Sequence, residues 1–82
     1  MVIEVRGHAF EVRRGRLRVQ ECVLYDGNVV SRRRFVGGGT HHFWVNEAGR
    51  EERYEIDTSP ELVGRVKAIR RSSGTIYRGD VG

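Results

Sequence analysis

Residues 35–45 (FVGGGTHHFWV) contain residue types that occur in phosphate-binding loops and metal sites. A Walker-type loop needs a Lys-Ser or Lys-Thr pair after its last glycine, whereas Gly39 is followed by Thr40 and His41. A dinucleotide-binding fingerprint needs a third glycine where His42 stands and a helix after it, but the pattern that follows is that of a strand. The glycines are therefore interpreted as a connection between two strands.

The histidines and the single cysteine could in principle bind a metal or form a nucleophilic site. His41 and His42 are adjacent, so on a strand they point to opposite faces and cannot readily share one metal ion. A zinc site would have to recruit His8, Cys22 or an acidic residue, without the usual ligand spacing. A nucleophilic pair of Cys22 with either His41 or His42 is another alternative, although a cysteine within an apolar strand is usually a small buried hydrophobic residue. The sequence therefore predicts no catalytic residue, no metal and no cofactor, with one histidine against the core and the other in solvent.

Length and composition restrict the class of protein. A chain of 82 residues predicts one domain over 1–82. One cysteine excludes an internal disulfide. A reducing, cytoplasmic setting is the expectation, and a disulfide-free domain outside the cytoplasm is the alternative with the same composition. No apolar run of about 18 residues predicts a membrane span, and the first ten residues do not resemble a signal peptide. The net charge of +4 is carried almost wholly by arginine, since Lys67 is the only lysine.

Alternating apolar and polar residues dominate the chain and predict strands. Hairpins are expected around Gly7 and at Asp26-Gly27, because glycine adopts positive φ without steric cost. Glu21 interrupts an otherwise apolar strand face, which suggests a bulge near Glu21 or Cys22. The apolar positions predict a core of Ile3, Val5, Phe10, Val12, Val19, Val23, Phe43, Val45, Tyr54 and Ile56. The fold class is mainly β: a small antiparallel sandwich or partly open barrel made of a meander of hairpins.

The last third of the chain has two interpretations. Ser59-Pro60-Glu61 is typical of a helix start, and the apolar residues that follow fit helical spacing. The pattern of 66–78 also fits a closing hairpin. We expect at most one short helix after Pro60, followed by that hairpin.

The arginines are the strongest sign of a binding surface. Arg32, Arg33 and Arg34 are consecutive on one predicted strand, and neighbouring predicted strands carry Arg13, Arg14, Arg16 and Arg18. With Trp44, Tyr25 or Phe35 exposed beside them, they would form a stacking and phosphate-binding surface for nucleic acid. In the alternative, Arg32 and Arg34 face one way and Arg33 the other, each matched to a cross-strand glutamate such as Glu52 or Glu55.

The stretch from Tyr25 to Val45 resembles the repeated β-unit of the Fas apoptotic inhibitory molecule family. The matching positions are Asp26, Gly27, Gly39, Phe43 and Val45. The arginine run departs from that family's more mixed strand. The resemblance implies a compact antiparallel β domain that is not an enzyme and acts through protein contacts.

The sequence thus predicts a non-catalytic module that contacts a protein partner through a strand edge or a sheet face. Nucleic-acid binding through the arginine-rich face is the alternative. The candidate contact residues in both cases are Arg16, Arg18, Arg32, Arg33, Arg34 and Trp44.

Overall fold

The computed structural model of the protein describes residues 2–14, 20–34, 39–59, 66–72 and 74–79. These residues form eight strands: β1 (Val2–Val5), β2 (His8–Arg14), β3 (Gln20–Tyr25), β4 (Asn28–Arg34), β5 (Gly39–Glu47), β6 (Arg50–Thr58), β7 (Val66–Arg71) and β8 (Gly74–Arg78). They pair into two four-stranded sheets, β1-β2-β3-β4 and β5-β6-β7-β8, with every pair antiparallel. The predicted mainly β, antiparallel fold is confirmed. The sheets form an open sandwich and do not close into a barrel.

Two-residue turns with glycine in second place close one end of the sandwich. Arg6, Asp26 and Ala48 have φ of 55°, 49° and 53°, and each precedes a glycine with φ between 81° and 86°. Two successive positive φ angles are typical of the turn that suits the twist of a hairpin. The hairpins predicted at Gly7 and at Asp26-Gly27 are confirmed. Antiparallel pairing places the last described residues of β2, β4 and β6 at the opposite end.

The core lies between the two sheets, and both sheets contribute aromatic residues to it. Phe10 of β2 contacts Tyr25 and Tyr54, with ring centroids 5.3 Å and 5.4 Å apart. The buried cluster comprises Phe10, Val12, Val23, Tyr25, Phe43, Tyr54, Ile56, Val66 and Ile69. Most of the predicted core is confirmed; Ile3, Val5 and Val45 pack at its margin, partly buried. The predicted core residue Val19 lies outside the described residues.

Two details of the strands differ from the sequence prediction or extend it. The register shift between β3 and β4 falls at Val23 and Leu24, with Val30 of β4 as the extra residue, rather than near Glu21 or Cys22. Glu21 keeps the regular alternation and points inward. The cost of burying its carboxylate is offset by ion pairs with Arg14 and His41, so no bulge is needed to turn the side chain outward.

The closing hairpin predicted for the last third is confirmed as β7 and β8. The short helix expected after Pro60 falls outside the described residues. Among the residues that are described, no helix is long and apolar enough to cross a membrane.

Candidate functional site

The arginine run lies on β4, which is an edge strand of the first sheet. Arg32 is opposite Cys22 and Arg34 is opposite Gln20, and both arginines are exposed on the outward face. Arg33 is opposite the inward-facing Glu21 and donates a 2.8 Å hydrogen bond to the carbonyl oxygen of Thr40. The alternation of a strand therefore divides the run between two faces, as the second sequence interpretation expected.

The glutamate partners expected for these arginines were wrong. β4 pairs with β3, whereas Glu52 and Glu55 are on β6 in the other sheet. Glu52 pairs there with Arg71, and Glu55 pairs with His42, Arg53 and Arg70. Sheet membership is set by long-range pairing, which the local pattern of β4 does not encode.

Arg32 and Arg34 differ from other strand arginines in their charge environment. Arg13 pairs with Glu11 at 2.7 Å, Arg70 with Asp57 at 2.7 Å, and Arg71 with Glu47 at 2.9 Å. Within the described parts of the chain, neither Arg32 nor Arg34 forms an ion pair. The outward side of β4 is therefore a patch of positive charge that the described carboxylates do not neutralise.

An apolar side chain lies on the same outward surface. Val29 is 47% exposed, and its cross-strand neighbour Leu24 is buried. Cys22 lies between Arg13 and Arg32 in one cross-strand row and is partly exposed. We call the outward side chains of Cys22, Leu24, Val29, Arg32 and Arg34 the β4 face.

The aromatic residues expected beside the arginines are not on the β4 face. Trp44 is 61% exposed, but it projects from the outward face of the second sheet, opposite Arg53. Tyr25 is buried in the core rather than exposed. Phe35, Arg16 and Arg18 lie outside the described residues. The stacking surface expected from the sequence is therefore not assembled by the residues that the structure describes.

A buried polar cluster joins the two sheets at the end opposite the tight turns. Glu21 accepts hydrogen bonds from Arg14 at 2.8 Å and Thr58 at 2.9 Å, and its Oε1 lies 2.7 Å from Nε2 of His41. The other ring nitrogen of His41 lies 2.7 Å from the hydroxyl of Ser31. Arg14 also donates to the carbonyl oxygen of Ser59 at 2.5 Å. We call Arg14, Glu21, Ser31, His41 and Thr58 the Glu21 cluster.

The Glu21 carboxylate is ionised despite its burial. Burial raises the pKa of Glu21, but hydrogen bonds from His41, Arg14 and Thr58 outweigh it and lower the pKa to about 2. No described buried side-chain polar atom lacks a hydrogen-bond partner. The cluster thus links five strands: Arg14, His41 and Thr58 bind the Glu21 carboxylate directly, and Ser31 joins the cluster through His41.

The three histidines lie in different parts of the sandwich, and only His41 belongs to the Glu21 cluster. His41 is buried and His42 is exposed, which confirms the prediction of one histidine in the core and one in solvent. Cys22 faces outward on the first sheet, whereas His41 faces inward and His42 is exposed on the outward face of the second sheet, so neither Cys-His pair considered from the sequence is brought together. His8 lies at the tight-turn end, bound to Asp26 at 2.7 Å. No group of three potential metal ligands converges among the described residues.

A second ionisable cluster, around a partly buried carboxylate, lies at the tight-turn end. Glu47 accepts hydrogen bonds from the hydroxyls of Tyr25 and Tyr54 and from Arg71, the last at 2.9 Å. Burial raises the pKa of Glu47, but these three donors outweigh it and lower the pKa to about 2. Burial and the hydrogen bond to Glu47 raise the pKa of Tyr25 and that of Tyr54. We call Tyr25, Glu47, Tyr54 and Arg71 the Glu47 cluster.

Sequence reasoning missed both clusters as units. Glu21 and His41 occupy inward-facing positions of apolar strands, and an ionisable residue at such a position signals a buried partner. The identity of that partner could not be inferred, because Glu21 and His41 belong to different sheets.

A comparison with known protein families, characterised proteins and solved structures finds no match to this chain. The class defined by the fold is a small antiparallel β-sandwich, and the resemblance to the Fas apoptotic inhibitory molecule unit stays a prediction.

Proposed function

We propose that this protein is a non-catalytic binding module that docks an acidic protein segment on its β4 face. The observation that supports the proposal is that neither Arg32 nor Arg34 forms an ion pair with a described carboxylate. Both are exposed, two positions apart on an edge strand, and no described carboxylate neutralises them. An acidic segment would supply the missing charges, since guanidinium groups form bidentate contacts with carboxylates.

The apolar part of the β4 face favours protein over nucleic acid. Val29, 47% exposed beside the arginines, offers a contact for an apolar side chain. Single-stranded nucleic acid is usually bound on aromatic side chains that stack with the bases. The β4 face has none, and Trp44 points away from it on the other sheet. The proposed partner is therefore a segment that alternates acidic and apolar residues.

Both ionisable clusters support a binding role rather than catalysis. The Glu21 cluster is enclosed, and the carboxylate in each cluster is held by several donors. These groups stabilise the sandwich, and the surface remains available for contacts. The non-enzymatic role implied by the sequence resemblance is consistent with this arrangement. The cytoplasmic setting stays part of the proposal, supported by the single, partly exposed Cys22 thiol.

A native probe for the test is Cys22, the only cysteine in the chain and a member of the β4 face. A fluorescent peptide of alternating glutamate and valine would be titrated and followed by anisotropy. A glutamine–valine peptide and an oligothymidylate of similar length would be compared. We expect the acidic peptide alone to bind with salt-sensitive affinity and to slow alkylation of Cys22.

A charge-matched pair of variants separates the β4 face from general basicity. Arg32→Glu with Arg34→Glu should abolish peptide binding, whereas Arg50→Glu with Arg78→Glu makes the same charge change at exposed positions elsewhere. An equal loss of peptide affinity in the two double variants would overturn the proposal, because it would show that the peptide is attracted only by the net positive charge of the protein. Tight oligothymidylate binding that depends on Arg32 and Arg34 would overturn it in favour of nucleic acid.

A further inference from the structure

The surroundings of Trp44 on the outward face of the second sheet form a second surface. Three cross-strand pairs lie side by side there: His42 with Glu55, Trp44 with Arg53, and Asn46 with Glu51. We call these six residues the Trp44 face. Its indole is 61% exposed, and a single exposed hydrophobic residue is common on protein surfaces. What distinguishes Trp44 is the arrangement of polar groups on both sides of it.

The polar groups on one side of Trp44 are held in place. The carboxylate of Glu55 is 2.9 Å from Nδ1 of His42, 3.4 Å from Arg53 and 3.2 Å from Arg70. Side chains that are already fixed lose less entropy when they bind a ligand. This side of the indole therefore presents a preformed set of donors and acceptors.

The other side of Trp44 offers a donor and an acceptor. The side-chain oxygen of Asn46 accepts a 3.1 Å hydrogen bond from the amide of Gly49, which orients the side chain. Its amide nitrogen is then the donor that a ligand can use. Glu51, directly opposite and exposed, supplies carboxylate oxygens as acceptors.

The charges of the Trp44 face restrict the ligand. The face carries two carboxylates, Glu51 and Glu55, and one guanidinium, Arg53. The guanidinium of Arg70 beside Glu55 brings these charges into balance, so there is no excess of positive charge to attract a polyanion. The exposed indole is complementary to a ligand with a flat apolar side. The neighbouring donors and acceptors are complementary to a ligand with several hydroxyls. A sugar ring has both, because its C–H groups line one face and its hydroxyls project from the rim.

We propose that the Trp44 face binds an uncharged carbohydrate chain. One sugar ring stacks on the indole of Trp44, and its hydroxyls exchange hydrogen bonds with the Arg53–Glu55 side and with Asn46. His42 and Asn46 lie two positions from Trp44 on β5, about 7 Å away along the strand, so they flank the ring that stacks on the indole. This inference is independent of the β4 face, which lies on the opposite surface and shares no residue with it.

Trp44 is the only tryptophan, so its fluorescence reports on this face alone. We would titrate the protein with soluble oligosaccharides of glucose, N-acetylglucosamine, xylose and mannose. One class should change the Trp44 emission saturably and leave the alkylation rate of Cys22 unchanged. In the test of the β4 face, the acidic peptide should slow the alkylation of Cys22 and leave the Trp44 emission unchanged. Each proposal therefore has its own readout, and one can fail while the other holds.

Variants measured by calorimetry complete the test. Trp44→Ala should weaken the responding oligosaccharide by at least about tenfold, whereas Trp44→Phe retains part of the affinity because it keeps an aromatic face. Val2→Ala, an exposed change on β1 that belongs to neither face, should bind like the parent protein. Circular dichroism would verify that each variant folds.

Three results would each overturn the proposal. The first is that no oligosaccharide changes Trp44 fluorescence at millimolar concentration. The second is that Trp44→Ala binds the responding sugar as tightly as the parent protein. The third is that oligothymidylate, but no sugar, quenches Trp44.

Discussion

The Nε2 atom of His41 lies 2.7 Å from the Oε1 atom of Glu21, and both side chains are buried between the two sheets. His41 is on β5 and Glu21 on β3, so this contact joins strands that no backbone hydrogen bond connects. Burying a charge is costly unless it is paired and hydrogen-bonded. Arg14, Thr58 and His41 meet that requirement at Glu21. Because residues of both sheets bind this carboxylate, we expect the stability of both sheets to depend on it.

Replacing Glu21 should destabilise the whole domain. Glu21→Ala leaves the buried Arg14 without this partner carboxylate, and breaking a buried pair in this way typically costs about 3–5 kcal/mol. Glu21→Gln should lose less, because the amide oxygen still accepts from Thr58. Urea denaturation measures the free energy of unfolding. Glu51→Ala, at an exposed position, is the control and should change it by less than about 0.5 kcal/mol; similar losses for Glu21→Ala and the control would contradict the prediction.

Stability should fall steeply in acid. The pKa values of Glu21 and Glu47 are lowered from 4.5 to about 2, by hydrogen bonds that outweigh burial. A lowered folded-state pKa contributes stability above the unfolded value, and that contribution is lost as the pH falls from about 4.5 to 2. Each carboxylate then contributes up to roughly 3 kcal/mol at neutral pH. Urea denaturation between pH 7 and pH 2 should show this loss.

Glu47→Gln tests the contribution of one cluster to that acid dependence. The variant should be less stable at neutral pH and should lose less stability between pH 5 and pH 2, because one of the carboxylates with a strongly lowered pKa is gone. Glu51→Gln, which removes one negative charge at an exposed position, is the charge-matched comparison for stability at neutral pH. If the parent protein is equally stable at pH 7 and pH 2, the ionised state assigned to both carboxylates is wrong.

The tyrosines of the Glu47 cluster should resist ionisation. Burial and the hydrogen bond to Glu47 raise the pKa of Tyr25 and that of Tyr54 above 10. A raised folded-state pKa contributes stability below the unfolded value of about 10, and this is lost as the pH rises further. Ultraviolet absorbance should therefore show these two tyrosines ionising together with unfolding, as followed by circular dichroism. A smooth titration centred near pH 10 with the fold intact would contradict this.

Gly79 should not accept a larger residue. A Cβ atom there would lie 2.3 Å from the carbonyl oxygen of Val66, and the amide of Gly79 donates a 2.8 Å bond to Lys67. Because the obstacle is backbone, β7 and β8 would have to separate locally. Gly79→Ala should lower the free energy of unfolding by about 1–3 kcal/mol. Thr75→Ala, at an exposed site of β8, is the comparison; a Gly79→Ala protein as stable as Thr75→Ala would refute the close approach.

Much of the fold follows from local pattern. Alternation predicted the strands, Asp26-Gly27 predicted its hairpin, and the apolar positions such as Phe10 and Ile56 predicted most of the core. These features depend on neighbours a few residues apart: the side-chain period of a strand and the positive φ of a turn glycine. The separation of His41 from His42 follows from the same alternation, which places them on opposite faces.

The sequence by itself therefore determined on which face of its strand each side chain lies. Only the tertiary structure decided which sheet each strand joins. That decision buries Glu21 against His41, places Trp44 on the surface opposite Arg32 and assigns Glu55 to Arg70 rather than to the arginine run. The physical reason is that sheet membership depends on pairing between residues far apart in the chain, where many registers satisfy the same alternation and only packing of the whole core selects among them.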